Sequence, residues 1–582
     1  MLLLLLLSPT VGISQADTLS RAPIVGIPQN QKVPILIKST NAGRVRLRYR
    51  EANELVVHDS TAWQDVVEDR DFTTIGTLTD LDPLSVYEYR VEFEGGSATP
   101  WYSFRTFPEN GVSGKFDFVF SACFREKYKP HHIFEYIKDI TPTFVVLLGD
   151  NIYADYDGDV NTGADETRIL AFRTKYQRNL DEHFQAMSSV VPIMAIWDDH
   201  DYGKDNSDGT YPYKEEAKQV FKETFPPYPY ETEEEGLHYR FSVADIDFFV
   251  LDTRWHRTPM EVTDGPGKTM LGKIQLAWLL NGLLDSKAIF KIVFSSVSLN
   301  DYGGDTSSGR SGFDNWTSYQ FERDLIMAYL TENDIKGVLF FSGDQHYPSL
   351  NILNWSQLPE AVESTDSSAI YALSNLGNAV FDFSASPLNY KRAGGSTPYD
   401  HSTPDPRYSF EIYRAPWAYP ESIRTTESTS VYGYVVADTD SLTPSITVTY
   451  HELDAATLEI NELYRIVVQG EHTVALESIR EIPMGIKLHR NYPNPFNDLT
   501  AIAYTLPEEC EVELAVYDLL GKEIASLVRG LCPAGTHTVT WDGRDEMGLP
   551  VATGIYFYRL RSYTTAQSRY PSIQIRKMVY LR

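Results

Sequence analysis

Three short acidic clusters, each directly behind an apolar run, hold the residues best suited to chemistry. Gly149-Asp150-Asn151-Ile152-Tyr153 follows the run Thr143–Leu148. Trp197-Asp198-Asp199-His200-Asp201 follows Pro192–Ile196, and Gly343-Asp344-Gln345-His346 follows Val338–Phe341. Singly each is weak evidence, because an aspartate after a strand commonly shapes a turn and a lone Asp-x-His is commonly a surface hydrogen-bonded pair. Together they mean more. Carboxylates packed this densely behind buried strands repel one another unless cations hold them. Asp150 at a strand end is placed to bridge two cations. A tyrosine three residues later can return to the same centre, where a phenolate favours a ferric ion.

Such residues act together only if the chain gathers them. Asp117–Ala122, Thr143–Leu148, Pro192–Ile196, Phe248–Leu251, Lys291–Phe294 and Val338–Phe341 read as buried strands. Helical patterns such as Leu271–Leu284 and Gln320–Leu330 lie between several of them. This predicts an α/β core of layered β-sheets flanked by helices. The strands run into Cys123, Asp150, Asp198-Asp199-His200, Asp252, Ser295-Ser296 and Asp344. Strands sharing one sheet would bring these groups around one crevice at their carboxyl ends. Val431–Val467 returns to strand-like alternation and is expected to end the domain, set at residues 115–470. His131 and His132 open an expected helix and are placed at the surface.

The flanks differ in character. Residues 22–108 alternate as short strands, which predicts a β-sandwich. Within it, Leu81–Tyr89 resembles the fibronectin and immunoglobulin-like corner in which a tyrosine hydroxyl returns to the backbone. Leu2–Leu7 followed by Ser14-Gln15-Ala16 reads as a signal peptide over residues 1–16, and no other apolar run is long enough to span a bilayer. The 582-residue chain carries a net charge of -29, which argues against stable nucleic-acid binding and for cations. Of three cysteines, Cys510 and Cys532 share the last module and either pair or stay free, leaving Cys123 alone.

Taken together, Ser121-Ala122-Cys123, the three acidic clusters and Leu251-Asp252-Thr253-Arg254 resemble the calcineurin-like metallophosphoesterases, and within them the PhoD-type alkaline phosphatases and phosphodiesterases. The resemblance implies a first metal site of Cys123, Asp150, Tyr153 and His346, suited to Fe3+. It implies a second, oxygen-rich site of Asp150, Asp199 and Asp344, suited to Ca2+, with Mg2+ or Mn2+ as alternatives. Cys123 stands where most of the superfamily has aspartate, and the usual Val-x-x-His ligand motif is replaced by Ser295-Ser296-Val297-Ser298. Two cations would activate a water for attack on phosphorus, with His200 as the proton donor to the leaving group. Arg125 and Arg254 are candidate phosphate clamps, though each is better explained by pairing with a neighbouring acid.

Residues 486–582, with Asn491-Tyr492-Pro493-Asn494-Pro495-Phe496-Asn497 and Trp541-Asp542-Gly543, resemble the C-terminal sorting domain of type IX secretion, an immunoglobulin-like hook-capping module. The implied protein is exported through the periplasm to the cell surface or medium and meets the secretion machinery through this module. Its expected substrate is a small-molecule, nucleotide or phospholipid phosphate ester, with selectivity set by the loops Asn300–Asp314 and Glu363–Thr425. No Cys-x-Pro-x-Arg or Gly-x-Ser-x-Gly motif supports a sulfatase or lipase-like hydrolase. A cell-surface binding protein on the same scaffold is the non-enzymatic alternative.

Overall fold

The six apolar runs form the strands Lys115–Ser121, Phe144–Leu148, Ile193–Ile196, Ile246–Val250, Lys291–Ser295 and Val338–Ser342. The computed structural model describes residues 18–299 (except 30, 53, 55–58, 157–159, 161–164 and 233–234), 314–353, 363–365, 368–388, 390–391, 410–414, 428–470 (except 455–456) and 487–581 (except 490, 492, 495, 498, 507–508, 519–521, 534 and 565–571). The expected signal peptide lies outside them, as do positions 300–313 and about half of 363–425; the rest of that stretch, expected as a loop, includes the strands Ser368–Ala372 and Val380–Ser384.

The six strands do not share one sheet. The first three run parallel in one sheet and the last three run parallel in another. The reason lies later in the chain. Ser428–Asp438 pairs antiparallel with Lys115–Ser121 and takes the edge at which the first sheet would otherwise have continued. Ser445–Leu453 and Ile460–Gln469 extend that sheet further. The second set therefore packs against the first, and both sheets contribute to a single core. Phe118 meets Phe248, Phe294 and Phe341 across the layers, with centroids 6.0, 6.0 and 5.7 Å apart. Phe120 and Phe341 meet edge to face at 4.8 Å. Aromatic pairs in these arrangements add about 0.5–1.5 kcal/mol each beyond the area they bury.

Helices complete the layering. Gly272–Asp285 lies against the second sheet, and Gly282 permits it, since a Cβ there would stand 2.5 Å from the Phe249 ring. Ile133–Ile140 and Glu182–Ser188 serve the first sheet through Phe134 and Phe184, both fully buried.

Ahead of this core, a three-stranded and a five-stranded sheet enclose a smaller core that includes Ile35, Leu47, Tyr89 and Val91. The Tyr87 hydroxyl accepts the Asp82 amide at 3.0 Å, the return to the backbone that the corner motif implies.

Residues 473–582 form a second compact unit. It contains three- and four-stranded sheets around Leu514, Trp541 and Tyr558. In it Cys510 and Cys532 are directly opposite on adjacent strands, and no disulfide joins them. Among the described residues, no helix is long and apolar enough to cross a membrane.

Candidate metal centre

Sterics at the strand ends decide where the functional side chains go. Gly149 adopts φ 105°, and a Cβ on it would stand 2.5 Å from the Cβ of Asp198. A Cβ on Gly343 would stand 2.6 Å from that of Ala122. Each glycine thus lets two strand-end turns approach closely. Cys123, Asp150, Asp344 and His346 follow in the left-handed region, at φ 62°, 53°, 64° and 59°. Side-chain-bearing residues pay about 1–3 kcal/mol for sparsely populated backbone regions, and such strain gathers at functional sites. The turns are knit together by the Cys123 amide donating to Gly149 O at 3.1 Å and the Phe124 amide donating to Asp150 O at 3.2 Å.

The result centres on Asp150. Its Oδ2 lies 3.6 Å from Cys123 Sγ. One ligand atom each from Cys123, Asp150 and His346 lies within 4.8 Å of the others, and the same is true of Asp150, Asp199 and His200. Tyr153 Oη stands 3.4 Å from His346 Nε2, so the phenol reaches the first group. Asp344, half-buried, joins no such group among the described residues. Its charge nevertheless acts on Cys123, and the charges of Asp198, Asp314 and Asp199 act on it.

The donor set fits cations. Asp150 Oδ1, Asp198 Oδ2 and Asp199 Oδ1 are buried acceptors with no hydrogen-bond partner, a state that ordinarily costs about 1–3 kcal/mol per group. Burial, then the charges of Asp150 and Asp344, pushes the Cys123 thiol far up. Burial likewise raises Asp150 well above the carboxylate range, against the pull of His200, and Asp199, Asp198 and Asp201 raise it further. Asp199 goes the other way: although burial opposes it, His200, Arg254 and the Asn206 amide bring it down to about 2. Burial drives His346 down to about 3, leaving a neutral imidazole available as a ligand. A thiol, a carboxyl, an imidazole and a phenol in one place can, once deprotonated, serve as ligands of a transition metal.

His200 is held differently. Burial opposes its charged form, but Asp199, Asp150 and Asp155 outweigh burial and raise it well above its ordinary range. Its Nδ1 lies 2.7 Å from Asp155 Oδ1 and its ring is 4.3 Å from that of Tyr153.

A shell of hydrogen bonds aims these groups. Asp201 accepts from the Asp198 amide at 3.0 Å, from the Asn151 amide at 3.1 Å and from Tyr176 Oη at 2.8 Å, tying the second cluster to the first. Arg254 is fully buried. Its Nε donates to Asp198 Oδ1 at 2.7 Å and its Nη2 to Asp314 Oδ2 at 2.6 Å. Ser296 Oγ donates to the same Asp198 oxygen at 2.6 Å. Arg254 is therefore engaged by acids, and Asp198 is an anchor. Asp252 builds its turn, accepting the Leu237, Arg254 and Trp255 amides at 2.8, 2.9 and 3.0 Å.

Expectation and structure part at some residues. His131 is fully buried, contrary to its expected surface place: Phe124 and Phe134 flank its ring, and Asn179 Oδ1 meets its Nε2 at 3.1 Å. Asp155 and Asp314 were not singled out in the sequence. Asp155 lies two residues beyond Tyr153, a usable signal, whereas Asp314 carries no local signature. Arg125 lies over the Tyr156 ring at 4.2 Å.

The chain is similar to known proteins. Residues 118–415 match the PhoD-like phosphatase family, and residues 497–566 match the FlgD Ig-like domain. Alkaline phosphatase D of Bacillus subtilis (strain 168) is 24% identical over 307 residues, 46% of this chain and 52% of that protein. The chain thus spans about half the length of this curated relative. A solved structure of PhoD matches with a TM-score of 0.58 at 17% identity, over 77% of this chain and 90% of that one. The purple acid phosphatase PPD1 from yellow lupin (Lupinus luteus) seeds matches at 0.51 and 13% identity, over 78% and 75% of the two chains. These two establish a shared fold.

Proposed function

This chain belongs to the PhoD-like phosphatase family, whose match runs over just more than half of its residues, and we propose that it is a metal-dependent phosphoesterase acting on phosphate monoesters, diesters or both. The supporting observation is the position of Asp150, whose carboxylate belongs to both ligand groups and keeps an unpartnered buried oxygen. Cys123, Asp150, Tyr153 and His346 would hold Fe3+. Asp150, Asp199 and Asp344 would hold Ca2+, or Mg2+ or Mn2+ in its place. Bound there, the cations would offset phosphate charge and lower the pKa of the attacking water.

The chain's own residues do the rest. Asp155 fixes His200 through Nδ1, leaving Nε2 to pass a proton to the leaving oxygen. Asp155, which is not among the metal-holding residues, favours the charged form needed for that step. Arg254 and Ser296 hold Asp198, and through it the turn carrying Asp199 and His200.

Export is part of the proposal. The leader-like residues 1–16 and the module at 486–582 would send the enzyme through the periplasm to the surface or medium, with the module engaging the secretion machinery.

The test is a panel of monoesters and diesters with chelated and reconstituted protein. Activity should vanish on chelation and return with iron plus calcium, and the iron form should be coloured by ligand-to-metal charge transfer. Undiminished hydrolysis by metal-free protein would overturn the proposal. A colourless, fully active zinc-only protein would overturn the iron assignment.

A further inference from the structure

The geometry points to a further cation site, separate from the candidate centre, for zinc or a similar borderline divalent ion at His132, Glu135 and His183. His132 caps the helix Ile133–Ile140 and Glu135 lies in its first turn, an i,i+3 pair on one helical face. His183 stands in the first turn of the neighbouring helix Glu182–Ser188. One ligand atom from each of the three lies within 4.8 Å of the others. Glu135 sits between the imidazoles, with Oε1 2.7 Å from His183 Nδ1 and Oε2 3.7 Å from His132 Nδ1. The two rings are 4.9 Å apart.

An ordinary surface hydrogen bond would need only one of these histidines. Two imidazole nitrogens and a carboxylate oxygen are instead the three-protein-ligand complement of zinc, with the fourth position open to water. Tetrahedral bonds of about 2.0–2.1 Å place ligand atoms roughly 3.4 Å apart, so no pair needs to close by more than about 1.4 Å. His132 and Glu135, 39% and 51% exposed, have room to make that adjustment towards His183, which is 15% exposed.

The backbone beneath them is fixed. Asp181 Oδ1 accepts the Phe184 amide at 3.1 Å while its Oδ2 accepts the His131 amide at 2.9 Å, so one carboxylate ties both helix starts. Phe134 and Phe184 pack edge to face at 5.1 Å below. Asn179, which meets His131, also donates to Phe124 O at 2.8 Å and Asn151 O at 2.7 Å. An ion here would brace the two helices that border the Cys123 and Asp150 turns.

The experiment is zinc and cobalt titration of the full-length protein with its active-site metals in place. Bound metal is counted after gel filtration, and cobalt geometry is read from visible absorption. Wild type should take up one equivalent more than His183→Ala, with a tetrahedral cobalt spectrum. Affinity in that variant should fall at least about 100-fold, since even an outer partner of a ligand costs about 10–100-fold. Glu135→Gln and His132→Ala, at more exposed positions, supply the same comparison if His183→Ala does not fold. The inference fails if these variants keep the extra equivalent, or if wild type binds no ion beyond those lost in Asp150→Ala.

Discussion

Replacing Arg254 separates its two possible roles, phosphate clamp and internal brace. The guanidinium is fully buried and spans Asp198, Asp314 and the Ser207 carbonyl, with contacts of 2.7 Å to Asp198 Oδ1, 2.6 and 3.0 Å to the Asp314 oxygens and 3.1 Å to Ser207 O. Arg254→Leu leaves the buried Asp198 and the half-buried Asp314 with one cation fewer, and breaking a buried pair in this way costs about 3–5 kcal/mol. Arg257, 2.6 Å from Asp314, still holds one of them, which favours the lower end of that range. For the compact unit Met1–His472, an unfolding entropy of about 2 cal/mol/K per residue makes this a fall in Tm of roughly 3–5 °C. Arg254→Lys restores charge but not the fork, so it should recover only part of the loss. Scanning calorimetry reads the stability, and steady-state kinetics reads the alternative. A clamp would show as a raised KM in Arg254→Lys at unchanged Tm, and that result would refute the bracing argument.

Three further outcomes follow from the same geometry. His200→Ala should lower turnover by about two to four orders of magnitude while keeping both metals, with a smaller loss for a nitrophenyl than for an alkyl leaving group; metal analysis that finds one ion missing would make His200 a ligand instead. Burial pushes Glu322 up to about 7, against the Thr269, Leu271 and Met270 donors, so the folded state keeps a proton that the unfolded chain releases. The contribution is complete below the ordinary glutamate range and is lost as pH rises towards 7; Tm measured from pH 5 to 8 should fall less steeply in Glu322→Gln than in wild type, and equal slopes would exclude this role. Removing residues 486–582 should leave phosphatase activity intact and hold the enzyme in the periplasm, whereas lost catalysis with normal export would reverse the module's proposed role.

The site was legible where chemistry is local. Each acidic cluster follows a continuous apolar run, and a run as short as Phe144–Leu148 reads as a strand covered on both faces, as its burial at every residue bears out. The glycines before Asp150 and Asp344 were visible too, although their reason, the close approach of Asp198 and Ala122, is tertiary. What the sequence hid was long-range. Nothing local shows that Ser428–Asp438 would pair with Lys115–Ser121 and divide the strands between two sheets. Nothing near Asp314 announces that it meets Arg254, sixty positions away. His131 misled for a similar reason: a polar ring reads as surface until Asn179 and Phe124 are seen around it.

The account rests on one carboxylate serving two ions, and metal counting on Asp150→Ala tests it most directly. Wild type should carry two ions per chain at this centre, iron and a hard divalent cation, counted apart from any ion at His132, Glu135 and His183. Asp150→Ala should lose both together, along with the visible band and hydrolysis of every ester, while its folded spectrum persists. A folded Asp150→Ala protein that retains two bound metals, or that loses only one of them, would contradict the shared position of Asp150.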